Sequence, residues 1–372
     1  MESLEELRAQ LALVDQDIVR LAARRQRLAR QVGELKDRDT SALRDYSQEK
    51  LVLDRARQTA EAEGISPDLA TGLISQLIAS SLTAQERQRV QSRRHGAGQR
   101  ALVIGGAGRM GGWFARFLDS QGFAVEVADP ARTDLSPFPG IADWAESGLD
   151  QDVIVVAAPL RASAAILDQL AGHRFSGVLF DIGSLKSPLA AGLRRLAQQG
   201  GRVTSLHPMF GPDTELLSGR HVVLVDLGVP SANDAARALF GSTMAEVVTT
   251  DLESHDRVIA QILGVSHALN IGFMTALAGS GELAGDLARL SSTTFDRQFA
   301  VAAPVAGENP RLYFEIQHLN PYGLGALDLL CSAFDRIRSA VRAGNEAEFV
   351  SLMETAGSWV RARRRRNESG PA

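Results

Sequence analysis

Cysteine is almost absent: Cys331 is the single thiol in 372 residues. One thiol excludes an intramolecular disulfide framework and suits a reducing compartment, so the cytoplasm is the default location. Its neighbours Leu327, Leu330 and Phe334 predict a buried thiol rather than a nucleophile. Excess charge is also missing. The 40 Lys and Arg against 44 Asp and Glu leave a net charge of −4, which gives no reason to expect a nucleic acid or a membrane surface as partner. No run approaches the ~20 apolar residues of a membrane span, and the N-terminus reads as charged and helical rather than signal-like. No metal site is expected. What is present is a globular composition, 45% hydrophobic and 23% charged, in a chain long enough for two or three domains.

The organising stretch begins at Arg100, where a short apolar run breaks into Gly105 and Gly106 and resumes as a helix-like pattern. Gly106-x-Gly108-x-x-Gly111 has dinucleotide-binding spacing: one glycine for a tight turn, one for backbone approach to a pyrophosphate, one for helix-on-strand packing. The pyrophosphate would sit on the helix that starts at Arg109 and Met110, where free N–H groups favour an anion. A second strand-like run, Phe123 to Ala128, ends at Asp129, close to the ~20-residue offset of a ribose-binding acid. Asp129 favours NAD because its charge repels a 2′-phosphate; Arg132 leaves NADP open.

Before this stretch, Leu4, Leu7, Leu11, Val14, Ile18, Leu21, Leu28, Val32 and Leu35 recur at three and four, which predicts one long helix from Ser3 to about Lys36. A second helix fits Ser41 to Ala62, and a third runs from Ser66-Pro67 to about Val90. This thin bundle needs a partner chain to bury its stripe. Polar residues interrupt the stripe. Arg25 takes the slot between Leu21 and Leu28, and Lys36, eleven positions on, lies about 20° from it. Ser81 and Gln85 continue the stripe of the third helix, and Asp45 and Glu49 share a face of the second. A dianionic ligand or neutralisation by the carboxylates accounts equally well for such groups.

The stretch Leu7-Arg8, Asp15, Ala23 to Arg25, Val32-Gly33, Lys36, Arg44-Asp45, Glu49, Ser81 and Gln85 resembles the all-helical chorismate mutase domain, an intertwined dimer. The resemblance implies that Arg8 (from the partner subunit), Arg25 and Lys36 bind the substrate carboxylates and ether oxygen. It implies that Asp45 and Glu49 meet the hydroxyl, and Ser81 and Gln85 a carboxylate and the ether oxygen. A departure is Gln48, where the family carries arginine; Lys50 is a neighbour able to compensate.

Gln88 to Gln99 is polar, basic and glycine-bearing and reads as a linker, with residues 93–99 as its core. Strand-like runs follow at Ala101–Gly105, Phe123–Ala128, Asp152–Ala157, Val178–Ile182, Val203–Leu206, His221–Val225 and Glu246–Thr249, alternating with helical ones. This predicts a doubly wound, mostly parallel sheet with its ligand crevice at the carboxyl ends. Asp181, Ser184 and Lys186 follow one such end. His207 follows another, with Pro208 and Pro212 stiffening the loop behind it.

Leu206 to Pro212 closely resembles the signature of prephenate dehydrogenases, a family that occurs fused to the mutase domain in bifunctional enzymes. The resemblance implies that His207 hydrogen-bonds the 4-hydroxyl of prephenate. After Asp251 the pattern is helical to near Arg366. His255 and His267, twelve apart, read as nearly one face, and Arg297 follows in Ser292 to Arg297. The resemblance gives His255, His267 and Arg297 to the prephenate site, Arg297 taking a carboxylate; Lys186, from its strand end, joins them as a substrate-binding candidate. It places serine near Ala157-Ala158, where this chain has alanine. The Arg361 to Arg366 run reads as a solvated helix end.

The expected architecture is an all-α chorismate-mutase-like domain (1–92), a linker (93–99), an α/β Rossmann-type dinucleotide-binding domain (100–250) and an all-α dimerisation domain (251–372). The expected activities are chorismate rearrangement and NAD-dependent oxidative decarboxylation of prephenate, in a homodimer open to tyrosine feedback. Arogenate as substrate, a β-hydroxyacid dehydrogenase with an inactive helical arm, and a non-catalytic NAD-sensing regulator are the alternatives.

Overall fold

The computed structural model describes residues 3–38, 44–131 and 137–368. Two compact units result. One comprises residues 1–184 and 189–252, the other 185–188 and 253–372.

The first unit opens with α1 (Leu4–Arg38), α2 (Tyr46–Ala62) and α3 (Pro67–Arg93). α1 meets no glycine or proline until Gly33, so nothing stops it earlier. α2 starts at its cap: Asp45 accepts the Gln48 amide at 3.0 Å. The expected start at Ser41 lies outside the described residues. α3 begins on Ser66 and Pro67. It continues to Arg93 rather than stopping near Val90, because the polar residues that read as linker pair with α1: Gln88 with Glu34, and Arg89 and Arg93 with Asp37. The remaining connector is tied down by the Gly96 amide on the Gln121 carbonyl at 3.0 Å.

Among the described residues eight strands form one sheet: β1 (Arg100–Ile104), β2 (Ala124–Ala128), β3 (Gly140–Ile141), β4 (Val153–Val156), β5 (Val178–Asp181), β6 (Val203–Pro208), β7 (His221–Val225) and β8 (Glu246–Thr250). Their order is β3-β2-β1-β4-β5-β6-β7-β8, parallel except for the β6–β7 pair. The two-residue β3 is too short to leave a sequence pattern. The chain goes to β2 on one side of β1 and later to β4 on the other, which makes β1 the switch point where a doubly wound sheet opens its crevice. Helix α4 (Arg109–Ser120) packs Trp113, Phe114, Phe117 and Leu118 onto the sheet core beside Phe180 and Phe240. Each such side chain contributes roughly 1.5–3 kcal/mol. Helices α5 (Leu160–Leu170), α6 (Ala190–Gln198) and α7 (Pro230–Phe240) follow β4, β5 and β7.

The second unit is helical. α8 (Leu252–Ile259) passes through a π-turn (Ala260–Val265) into α9 (Ser266–Ala278). After the short α10 (Ala284–Arg289), α11 (Thr293–Gly307) packs on α9; α12 (Pro310–His318) leads to α13 (Gly323–Ala343), which packs on the π-turn. Leu252–Ala278 is long and apolar, with 22% of its most apolar stretch buried in the single chain. One expectation changes here. Cys331 is exposed, because α13 also leaves Leu324, Leu329, Phe334 and Val341 uncovered in the single chain. Helices apolar on most sides need cover that one copy does not supply.

Candidate active site

In the N-terminal bundle, Arg25, Lys36, Asp45, Glu49, Ser81 and Gln85 line one cavity of about 300 Å³, with Leu28, Val32, Val52 and Ile78 as its apolar wall. Arg25 Nη1 donates to the Ser81 hydroxyl and the Leu77 carbonyl, both at 2.9 Å, and burial lowers its pKa. Gln85 Nε2 donates to the Ala29 carbonyl. Gln85 fits because Gly33 has no side chain: a Cβ there would lie 2.8 Å from Gln85 Cγ. Asp45 is the cap of α2 rather than a member of its face, so one carboxylate oxygen is committed to the backbone.

Gln48 is in the lining, while Lys50 is exposed and outside it. Arg8 is not in the lining either; seventeen positions of helix separate it from Arg25, about 25 Å. The stripe of α1 is open, with Leu4, Leu11, Leu21 and Leu35 all more than half exposed. The face expected to be buried is therefore uncovered within one chain.

At the sheet, register brings Ile104 level with Ala128 on one side and Val156 on the other, so the residues that follow all three reach one edge. Gly105 holds φ +88, where a side chain is strained, and its Cβ position lies 2.6 Å from the Ala158 amide. A Cβ on Gly106 would strike Val127 at 2.3 Å and one on Gly111 the Gly105 carbonyl at 2.2 Å. The resulting cradle has Gly108 as the cap of α4, with no side chain over the amides that follow. Asp129 accepts the Ala107 amide at 3.0 Å. These features fit a dinucleotide: bare amides for a pyrophosphate and an acid at ribose distance. Met110 packs against the core, so only its backbone serves the site. Arg132 lies outside the described residues.

His207 is nine-tenths buried and lies within β6, opposite Val223, rather than after the strand. Its loop rests on α4: Trp113 Nε1 donates to the Thr214 carbonyl at 3.0 Å, Trp113 packs on Phe210, and Arg109 pairs with Asp213 at 2.6 Å. Sequence reading missed these contacts, which join residues about a hundred positions apart.

In the second unit, Lys186 is fully buried and its amide donates to Asp256 Oδ1 at 2.9 Å, beside the Ser187 amide on Oδ2 at 2.6 Å. His255 Nδ1 lies 2.7 Å from Asp256 Oδ1. Burial opposes the ionised form of Asp256, but the His255 ring and the Ser187 and Lys186 donors outweigh it and hold the carboxyl below its usual range. Asp256 thus ties Lys186 to His255, a role its place in the sequence did not signal. A regular helix would put residues twelve apart about 120° out of phase, not on one face. The π-turn takes up an extra residue per turn and restores much of that phase. His267 packs against Tyr313 with the rings tilted by 54° and their centroids 4.5 Å apart, and burial lowers its pKa. Arg297 is exposed on α11; Arg361 and Arg363 are exposed on α14 (Glu346–Glu368).

Residues 7–86 match the type II chorismate mutase family, 138–248 the nucleotide-binding domain of prephenate dehydrogenase, and 251–355 its dimerization domain. The T-protein of Enterobacter agglomerans is 26% identical over 360 residues, covering 96% of this chain and 92% of that one. The 4-amino-4-deoxyprephenate dehydrogenase of Streptomyces pristinaespiralis is 31% identical over 266 residues, 68% of this chain and 88% of that one. Among solved structures, the prephenate dehydrogenase from A. aeolicus in complex with hydroxyphenyl propionate and NAD+ superposes with a TM-score of 0.58 at 20% identity, covering 71% of this chain and 98% of that one.

Proposed function

This chain belongs to the prephenate dehydrogenase family and carries a type II chorismate mutase domain ahead of it, and from that premise we propose how its residues divide the work. It is a bifunctional enzyme of tyrosine biosynthesis. Chorismate is rearranged to prephenate, and prephenate is oxidised with NAD to 4-hydroxyphenylpyruvate and carbon dioxide.

The mutase residues we assign are Arg25, Lys36, Asp45, Glu49, Ser81 and Gln85, supported by the single cavity they line. A pericyclic rearrangement needs no acid or base, only a compact conformer and donors aimed at charge developing on the ether oxygen. Arg25 and Lys36 supply those donors and hold the carboxylates. With Gln48 in place of arginine, the further cation is Arg8 of a second copy. The homodimer this requires is supported by the open stripe of α1, the uncovered α9 and α13 and the match to a dimerization domain.

For prephenate oxidation we assign the Gly106, Gly108, Arg109, Met110 and Gly111 turn to the cofactor pyrophosphate, with the Arg109, Met110 and Gly111 amides as donors because the Gly108 amide already donates to the Gly105 carbonyl, and Asp129 to its ribose. When bound, NAD supplies the hydride acceptor. Neutral His207 accepts the hydrogen bond of the substrate 4-hydroxyl and so favours departure of the hydride, while ring aromatisation makes loss of carbon dioxide easy without a dedicated base. Lys186, His255, His267 and Arg297 are assigned to the substrate, with Arg297 as the fork for a carboxylate.

The observation that carries this reading is the coexistence, in one unit, of the cation-lined cavity and a dinucleotide cradle on whose helix the His207 loop rests. The test is a paired assay of chorismate loss and prephenate-dependent NADH formation on the purified chain, repeated with arogenate. NAD binding without NADH formation from either substrate would instead mark a sensing protein. We place the enzyme in the cytoplasm, supported by its one free thiol, and assign tyrosine as feedback inhibitor, testable in the same assay.

A further inference from the structure

Arg44 sits just ahead of the α2 cap, outside regular structure, so its direction is set by what it touches. Its guanidinium forks onto Glu49 of the mutase cavity, Nε to Oε1 and Nη2 to Oε2, both at 2.9 Å. The remaining nitrogen, Nη1, donates to the Ser218 hydroxyl at 2.7 Å, in the loop between β6 and β7 of the nucleotide-binding domain. Tyr46 lies under the guanidinium at 4.5 Å. Next to Ser218, the Leu217 amide donates to Glu86 of α3 at 2.8 Å, and the Met244 amide donates to the other Glu86 oxygen at 2.5 Å. Glu86 is 4% exposed. The mutase bundle therefore holds one turn of this loop from two sides, and one of the two holds runs directly into the cavity.

We propose that Arg44 is a positioning residue of the mutase, fixing the Glu49 carboxylate toward the substrate hydroxyl, and that Ser218 fixes Arg44, so that the dehydrogenase half completes the mutase site. Bidentate pairing leaves each Glu49 oxygen a lone pair for the substrate, so the fork orients the carboxylate without using it up. Gln48, in the same lining, offers Glu49 no competing cation. The proposal rests on the mutase reading above.

Mutase kcat and KM on the full chain, measured beside prephenate oxidation, test it. Arg44→Gln is expected to lower mutase kcat/KM about tenfold, the loss of one charge-assisted pair. The loss should fall on kcat more than on KM, because Arg25 and Lys36, not this pair, hold the substrate carboxylates. Arg44→Lys should restore the rate only in part, since lysine keeps the charge but has no fork. Ser218→Ala should lower mutase kcat/KM about threefold, one neutral hydrogen bond, and leave prephenate oxidation unchanged. A wild-type rate in Arg44→Gln, or a loss confined to KM, would overturn the positioning role; unchanged mutase kinetics in Ser218→Ala would overturn the tether. A wild-type chain that oxidises prephenate without consuming chorismate would overturn the mutase reading itself, and with it this one.

Discussion

Asp129 at the end of β2 accepts the Ala107 amide at 3.0 Å, so the acid and the glycine turn, 22 positions apart, are joined before any cofactor arrives. The carboxylate is thereby held where ribose hydroxyls would meet it, and where a 2′-phosphate would be repelled. Asp129→Ala should raise the KM for NAD about tenfold, roughly 1.4 kcal/mol of lost hydrogen bonding, and narrow the preference for NAD over NADP. Initial rates with each cofactor at saturating prephenate measure both effects.

His207 has no duty in the mutase cavity. His207→Asn should lower prephenate oxidation by about 10²–10⁴-fold, the range of a lost general acid–base group, and leave chorismate loss unchanged. Near-normal NADH formation in that variant would remove His207 from the mechanism.

Gly33 gives up helix propensity to seat Gln85. Alanine favours a helix interior by about 1 kcal/mol, but its Cβ would lie 2.8 Å from Gln85 Cγ, push that side chain from the cavity and break its bond to the Ala29 carbonyl. Gly33→Ala should therefore gain nothing in melting temperature while losing most mutase turnover. Unaltered turnover would show that Gln85 has room to yield.

Burial lowers the pKa of His267 below its ordinary 6.5. Between the folded and unfolded values the unfolded chain carries the extra proton, so stability rises with pH. The contribution is complete above about pH 6.5 and is lost as pH falls toward the folded value. His267→Gln should flatten that part of the stability profile, as read from denaturant midpoints through mild acid.

What was legible in the sequence is what local rules govern. Heptad-like spacing revealed α1, the cap at Ser66 and Pro67 started α3, and the glycine turn with Asp129 marked the cofactor edge. Ser81, Gln85, Arg25 and Lys36 converge because helical phase carries them to one cavity. The features that escaped depend on distant partners or on a break in period. Arg44 acts through Ser218, 174 positions away. The π-turn changes the phase between His255 and His267 without any glycine or proline at its start. Cys331 read as buried because its apolar neighbours say that cover exists, not which chain provides it.

The third helix faces two ways. Ser81 and Gln85 turn into the mutase cavity, while Glu86 and Val90, with Trp113, Phe117 and Leu217, line a cleft of about 400 Å³ against the nucleotide-binding domain. Its azimuth is thus inspected twice, and one residue gained or lost between Gln85 and Val90 would swing the two sets about 100° apart. Recombination between relatives can cross within this helix only where the residue count is kept. Fission at the junction would bare the acid Glu86 on one product and the apolar strip of Trp113, Phe117 and Leu217 on the other.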